Sequence, residues 1–538
     1  MTRMSALTVS VFIALVILFI FLLTPPRYPR QIPSVPFWIT LLPLFFEIDQ
    51  QQIFSQYIAG PLYKHGAIKI FFGGQWNVIV QRPTYISEVF KKEHIYNKSG
   101  NQKKIPHSML AEFLGERSIC PTLKSPAETA NYDLVAGSNI ISARDEEWRC
   151  YRAVIKPGLQ TFSHPKPILE NAKKLSNIFW QLQGQCTEKG ILIQDVLQRY
   201  ASANLLCCIF DCSELSSQMM SIEHEVPLHT TQLTLKRYLF RPIFMSFPAL
   251  DRLASVIPSR VKARKLIRQF SDLLQSQILN NRTREGERSA KNNCLGDRLI
   301  SAWRDGTLTT KQLRDNLNVL YVAGQENPQL LMISSLYLLG KYPTIQEKLR
   351  QEIKACNISD ASTTDWRCLP YLTATILECL RLLPPISQLI NRRAAEPVWL
   401  GGSIYISRGT YIGYNSYATN RDPDSWGPDA DELRPERWGT TDEQISMKYR
   451  SAKARAEFIS FHGGSRACLG EKFALLEMRV TLFVLVKTLR WELDPEWNEK
   501  ITPVCDSASP PLYNAYHKLT LQAGPLYPRG VRLIFEKL

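Results

Sequence analysis

Hydrophobic and polar positions fall into distinct regimes along the chain. Residues 6–23, ALTVSVFIALVILFIFLL, carry no charge, and Thr8 and Ser10 are their only polar side chains. As a helix rising 1.5 Å per residue, such a run spans about 27 Å, close to the roughly 30 Å hydrocarbon core of a bilayer. The pattern predicts a single membrane span. It exceeds the usual apolar region of a signal peptide, and the following TPPRYPRQIP offers no small-x-small cleavage pattern, so a retained anchor is expected. Pro25, Pro26, Pro29, Pro33 and Pro36 then exclude helix and favour a stiff extended neck over residues 24–36.

Beyond the neck the period changes. IKIFFGGQWNVIV (68–80) alternates β-branched and aromatic residues around a Gly-Gly pair and predicts a hairpin, with a helix following at 84–92. Apolar residues at i, i+3, i+4 spacing predict helices over 145–156, 166–183, 191–212, 260–281, 310–340, 343–356, 371–382 and 470–490. Short strands are expected at 397–412 and near 515–535, and the polar stretch 280–293 reads as a surface loop. The expected architecture is mostly α with small peripheral β-sheets. No repeat or flexible tract divides residues 37–538, so they are expected to form one large domain behind the anchor and neck.

Composition narrows the class. The 538 residues are 45% hydrophobic and 21% charged, which excludes a disordered polyelectrolyte and a disulfide-stapled miniprotein. The formal charge of +16 invites nucleic acid, an anionic membrane or an acidic protein as partner. No nucleic-acid module accompanies it, whereas the basic residues gather near the neck, on the 280–293 loop and in KYRSAKAR (448–455). That last run contains no acid. The 12 cysteines show no repeated spacing and fit reduced thiols. Within CCIFDC (207–212) they read as a buried helix face.

FHGGSRACLG (461–470) carries the chemistry. Gly463, Gly464 and Gly470 permit close backbone approach, and a strongly apolar helix begins just after Cys468. A thiol ahead of a helix N-terminus is expected to have a lowered pKa and thiolate character. The arrangement of Phe461, Gly464, Arg466, Cys468 and Gly470 as F-x-x-G-x-R-x-C-x-G resembles the haem-thiolate loop of the cytochrome P450 family. Glu378-Cys-Leu-Arg381 resembles that family's E-x-x-R helix, Arg437 in RPERW its third salt-bridge member, and Trp148-x-x-x-Arg152 its W-x-x-x-R helix. The resemblance covers roughly residues 60–535. It implies the P450 fold and haem b (iron protoporphyrin IX), with Cys468 as the iron ligand and Phe461 packing against it. Arg466, Trp148 and Arg152 would then serve the propionates, with Glu378, Arg381 and Arg437 as a structural triad.

VLYVAGQENPQLLM (319–332) resembles the family's oxygen-side helix, usually A/G-G-x-D/E-T-T. Here Asn327 replaces the alcohol residue and Pro328 follows. A helix break over the iron is expected, freeing the Gly324 carbonyl, with Glu326 and ordered water delivering protons and Asn327 donating through its amide.

The resemblance implies a microsomal-type monooxygenase that uses O₂ and electrons from an NADPH-cytochrome reductase. It would be single-pass in the endoplasmic reticulum with its catalytic domain in the cytosol, oxidising a small organic substrate of secondary metabolism. The A-G-x-E-N pattern also resembles a fungal branch that includes dityrosine-forming enzymes, so oxidative coupling of phenols or tyrosine derivatives is an alternative. A reductase-independent haem-thiolate isomerase or dehydratase is another. By the same resemblance, residues 100–140, 238–250, the oxygen-side helix and 384–390 would line the substrate pocket, and the 448–455 run would face the reductase.

Overall fold

The computed structural model describes residues 24–45, 53–99, 104–105, 107–115, 139–160, 165–186, 189–285, 294–356, 366–497 and 530–538, with isolated positions between 10 and 20. The expected membrane span 6–23 lies largely outside the described residues, as do most of 100–140 and the expected strand region 515–529. Among the described residues, no helix is long and apolar enough to cross a membrane.

The predicted hairpin forms from β1 (Ala67–Phe72) and β2 (Gln75–Val80), paired in register from Ala67 opposite Val80 to Phe72 opposite Gln75. Gly73 and Gly74 close it with φ of 64° and 76°, the two left-handed positions that a tight hairpin turn assigns to glycine. β3 (Tyr96–Lys98), β5 (Gln388–Ala394) and β8 (Tyr411–Asn415) complete a five-stranded sheet in the order β1-β2-β8-β5-β3. β4 (Ile191–Leu192), β9 (Leu489–Leu493) and β10 (Arg532–Lys537) form a second sheet, and β6 (Val398–Leu400) pairs with β7 (Ile404–Ile406). The proline neck lies along the free edge of β1. Lys69 N–H donates to the Pro33 carbonyl and Val35 N–H to the Lys69 carbonyl, both at 2.8 Å, which covers an edge that would otherwise be exposed.

Helices supply the rest. Those of nine or more residues are α1 (Pro83–Lys91), α2 (Asp145–Gln160), α3 (Lys166–Gln185), α4 (Gln194–Cys208), α5 (Pro227–Leu239), α6 (Pro258–Glu285), α7 (Leu295–Arg304), α8 (Thr310–Lys341), α9 (Pro343–Ala355), α10 (Pro370–Leu382), α11 (Asp442–Ala454) and α12 (Glu471–Thr488). α8 is the axis of the molecule, starting at a capping box between Thr309 and Gln312 and packing against α4, α6, α10 and α12. One apolar core runs through these helices, and a smaller one lies under the five-stranded sheet.

Three helices depart from the sequence expectation. α5 buries His229, Gln232 and Lys236 along with its leucines, which masks its apolar period. α7 is only ten residues long, and α11 contains most of the run that reads as charge alone. α6 continues to Glu285, into the stretch 280–293 expected as a loop, whose remaining residues 286–293 lie outside the described residues.

Candidate functional site

The 461–470 stretch folds as a tight loop held by local chemistry. Cys468 N–H donates to the Phe461 carbonyl at 3.0 Å, and a single 3-10 turn at Gly464–Arg466 turns the chain. Two glycines are dictated by α1. A Cβ at Gly463 would lie 2.4 Å from the Phe90 ring, and one at Gly464 only 2.8 Å from the Phe90 carbonyl, at a φ of +68°. At Gly470 a Cβ would meet nothing nearer than the Cys468 Sγ, 3.9 Å away, so that glycine leaves room beside the sulfur.

The thiol departs from the expectation drawn from helix position. The Cys468 side chain is exposed to solvent, yet the protein packed around the loop pushes its thiol above the usual value, against the N–H groups of Gly470 and Glu471, which pull it down. α12 begins three residues after the cysteine, so only its first N–H groups reach the sulfur, and Glu471 opposes them with negative charge. A bound metal ion deprotonates a coordinating thiol outright, so this shift belongs to the protein alone.

The motif residues that the resemblance draws from α2 and from the loop come together. Arg466 lies 4.0 Å from the Trp148 ring centroid and Arg152 lies 5.1 Å from it. Arg152 Nη1 donates to the Ser465 carbonyl and Arg466 Nη1 to the Ala143 carbonyl. The four-residue spacing of Trp148 and Arg152 places both on the α2 face that meets the loop.

Two further cations join them that sequence reasoning missed. Lys98 on β3 and Arg392 on β5 couple electrostatically to Arg466, with the Glu93 carboxylate opposing them at Lys98. Burial drives the Lys98 ammonium well below its usual pKa, with Arg392 and Arg466 adding to the shift, and it lowers Arg466 to about 10. Burial, with Lys98 and Arg392 nearby, also depresses His462 to about 3, so its imidazole is neutral. Arg392 donates to Glu93 at 3.2 Å, yet the buried Nε atoms of both Arg392 and Arg466 have no partner. A β-bulge between Ile390 and Arg392 aims Arg392 inward.

The donor set fits haem b. A cysteine sulfur bordered by a glycine, next to a cluster of cations of which Arg392 is fully buried and the others half-buried, with unsatisfied guanidinium nitrogens on Arg392 and Arg466, suits an iron ligand beside two carboxylates.

The triad residues form a buried network. Arg381 grips Glu378 through two bonds of 2.8 Å, and Arg437 Nε reaches the same carboxylate at 3.2 Å. Trp438 Nε1 and the Arg434 N–H also donate to Glu378, while Arg437 is fixed by Asp429. Both Glu378 and Arg381 are fully buried, and removing one partner of such a pair typically costs about 3–5 kcal/mol.

α8, the helix expected to face oxygen, differs from expectation in two ways. α8 continues through Pro328 to Lys341 without breaking, so the proline deletes one ladder donor and does not end the helix. The donor it lacks would serve the carbonyl of Gly324. Asn327 Nδ2 instead donates to the Ala323 carbonyl at 3.2 Å. Gly324 has a packing reason as well, since a Cβ there would sit 2.6 Å from Leu205 Cδ1 on α4. Glu326 is paired with Lys236 of α5 at 3.4 Å, a partner that sequence did not suggest.

The basic run also finds acids that sequence did not reveal. Lys453 pairs with Glu471 and Arg455 with Glu457, while Lys448 lies 5.7 Å from the Trp426 ring. Cys207 and Cys208 sit in α4 as expected of a helix face, and no cluster of potential metal ligands occurs among the described residues.

Comparison with known proteins agrees with this geometry. The Cytochrome P450 family model matches residues 108–511. The chain is 39% identical to Cytochrome P450-DIT2 of Saccharomyces cerevisiae over 96% of its own length and 95% of the relative's. It is 34% identical to Cytochrome P450 monooxygenase xanG of Aspergillus fumigatus, over 88% and 84% of the respective chains.

Proposed function

Because this chain belongs to the cytochrome P450 family, whose cofactor is haem b, we propose that it is a monooxygenase inserting one oxygen atom into a small organic substrate of secondary metabolism. The observation that carries the reading is the Cys468 loop with Arg466, Trp148, Arg152, Lys98 and Arg392 gathered beside it. Cys468 would ligate the iron, with Phe461 packed behind the loop and the cations binding the propionates. A haem held by these residues would supply the redox chemistry for dioxygen, and thiolate ligation by Cys468 would favour O–O cleavage.

The remaining steps fall to side chains. The net reaction, RH + O₂ + NADPH + H⁺ → ROH + H₂O + NADP⁺, consumes protons that must cross a buried site. Glu326 of α8 would carry that transfer, working through ordered water beside the Gly324 carbonyl, while Asn327 is committed to Ala323 and fixes the local backbone. Glu378, Arg381 and Arg437 hold α10 against the segment before the cysteine loop.

Residues 6–23 are proposed to anchor the chain in the endoplasmic reticulum membrane, followed by a neck at 24–36 and a cytosolic catalytic domain at 37–538. Ile243, Leu253, Val256 and Trp38 are exposed apolar residues on neighbouring segments, which supports a face resting on the bilayer. Electrons would come from an NADPH-cytochrome reductase. Lys448 and Arg450, which pair with no acid among the described residues, remain available to it on α11, whereas Lys453 and Arg455 are engaged.

Oxidative coupling of phenols or tyrosine derivatives is the second reading, supported by Ala323-Gly324-Gln325-Glu326-Asn327 and by the near full-length match to Cytochrome P450-DIT2. Metabolite profiles of cells with and without the gene identify the product, and ¹⁸O₂ labelling then separates the readings. Monooxygenation predicts one ¹⁸O atom in the product. A dimeric product without label would favour coupling, and turnover without NADPH or O₂ would contradict both.

A further inference from the structure

α5 presents an unusual inward face. His229, Gln232 and Lys236 recur at i, i+3 and i+7, which places them on one side of the helix, and all three are buried. Each meets a polar group on α4 or α8. His229 Nε2 lies 2.9 Å from Asp195 Oδ1, and Gln232 Nε2 donates to Gln325 Oε1 at 2.8 Å. The amides continue in one direction: Gln198 donates to Gln232, Gln325 to Gln329, and Gln329 to the Gln194 carbonyl. Lys236 forms the last rung, with its ammonium 3.4 Å from Glu326 Oε1 and both side chains less than one-fifth exposed.

Apolar packing would have served α5 as well or better if its only task were to cover α8, because a buried polar stripe must satisfy every member to break even. His229 Nδ1 has no partner among the described residues, so the stripe carries a cost that apolar packing would avoid; its remaining pairings fix the register of α5 on α8, and the last of them is to the acid Glu326. We propose that Lys236 is the positioning residue for Glu326: through the polar stripe it locks α5 to α8 and holds the carboxylate in the orientation needed for proton delivery. This rests on the reading of Glu326 given above, and it makes α5 a part of the proton route without touching the reacting atoms.

The test uses the full-length, haem-loaded protein with purified NADPH-cytochrome reductase and no substrate, so that NADPH oxidation in H₂O and D₂O reports proton delivery to reduced dioxygen. Lys236→Met should slow that oxidation about tenfold and enlarge the solvent isotope effect, a modest share of what a positioned general acid supplies. Lys236→Arg, which keeps the charge, should restore the rate to within about twofold. A thermal-unfolding cycle provides a readout independent of turnover: Lys236→Met and Glu326→Gln should each lower the midpoint, and the double variant should lie well above the sum of the two losses.

Unchanged oxidation and isotope effect in Lys236→Met would overturn the proposal, as would an Arg variant as impaired as the Met variant, or additive midpoints. If Glu326→Gln slows oxidation while Lys236→Met does not, the positioning role alone falls. If Glu326→Gln leaves oxidation unchanged, the proton route itself falls.

Discussion

At the scale of single residues, the fully buried Glu477 shows how much chemistry the core tolerates. It lies on α12, accepts from Asn204 at 2.8 Å, and leaves its second oxygen without a partner. Burial raises its carboxyl from an ordinary 4.5 to about 8. The folded state therefore keeps a proton that the unfolded chain releases. The stabilisation is fully present below about pH 4.5 and is lost as pH rises through about 8, at ~1.4 kcal/mol per unit between the two. Glu477→Gln should remove that slope, so its unfolding midpoint should gain on the parent's from pH 5 to pH 8. A constant difference would show that Glu477 is ionised in the fold. The motif residues Cys468, Arg466, Trp148, Glu378, Arg381 and Arg437 could be read from sequence because each belongs to a local pattern. Lys98, Arg392 and Lys236 could not, because what sets them apart is the strand or helix that faces them.

At the scale of elements, sequence periodicity located most long helices to within a few residues, since their apolar stripes bury against one core. It failed for α5, where glutamine, histidine and lysine occupy the inward face and look like a solvent face in one dimension. It also overstated Pro328. A helix packed on several sides, as α8 is, tolerates the loss of one ladder donor when its neighbours hold it straight. Gly324 illustrates the same point from the packing side. Gly324→Ala should force α4 away from α8 through Leu205 and destabilise the protein by about 1–3 kcal/mol in thermal or denaturant unfolding. Adding Leu205→Ala should recover part of that loss. A Gly324→Ala variant as stable as the parent would mean that α4 yields freely.

At the scale of the whole molecule, the charge of +16 takes on a specific distribution. Part of the basic run on α11 is spent internally on Glu471 and Glu457, so the surface offered to a reductase is narrower than composition suggests. Charge reversal of Lys448 and Arg450 should slow reductase-supported turnover several-fold at low salt and little at high salt. An equal rate in both would remove α11 from the docking surface. Removing residues 1–23 leaves the neck paired with β1 and should shift the protein from the membrane fraction toward soluble extract. Any remaining association should weaken further on Ile243→Glu and Val256→Glu. Undiminished membrane binding after both changes would contradict the proposed anchor and face.

Whether Cys468 is the thiolate ligand of a bound haem is read from the spectrum of the reduced protein under carbon monoxide. The parent should show the absorption band that marks thiolate ligation, and Cys468→Ala should lose it while Arg466→Lys keeps it at reduced haem content. A parent spectrum without that band, or an undiminished band in Cys468→Ala, would contradict the account.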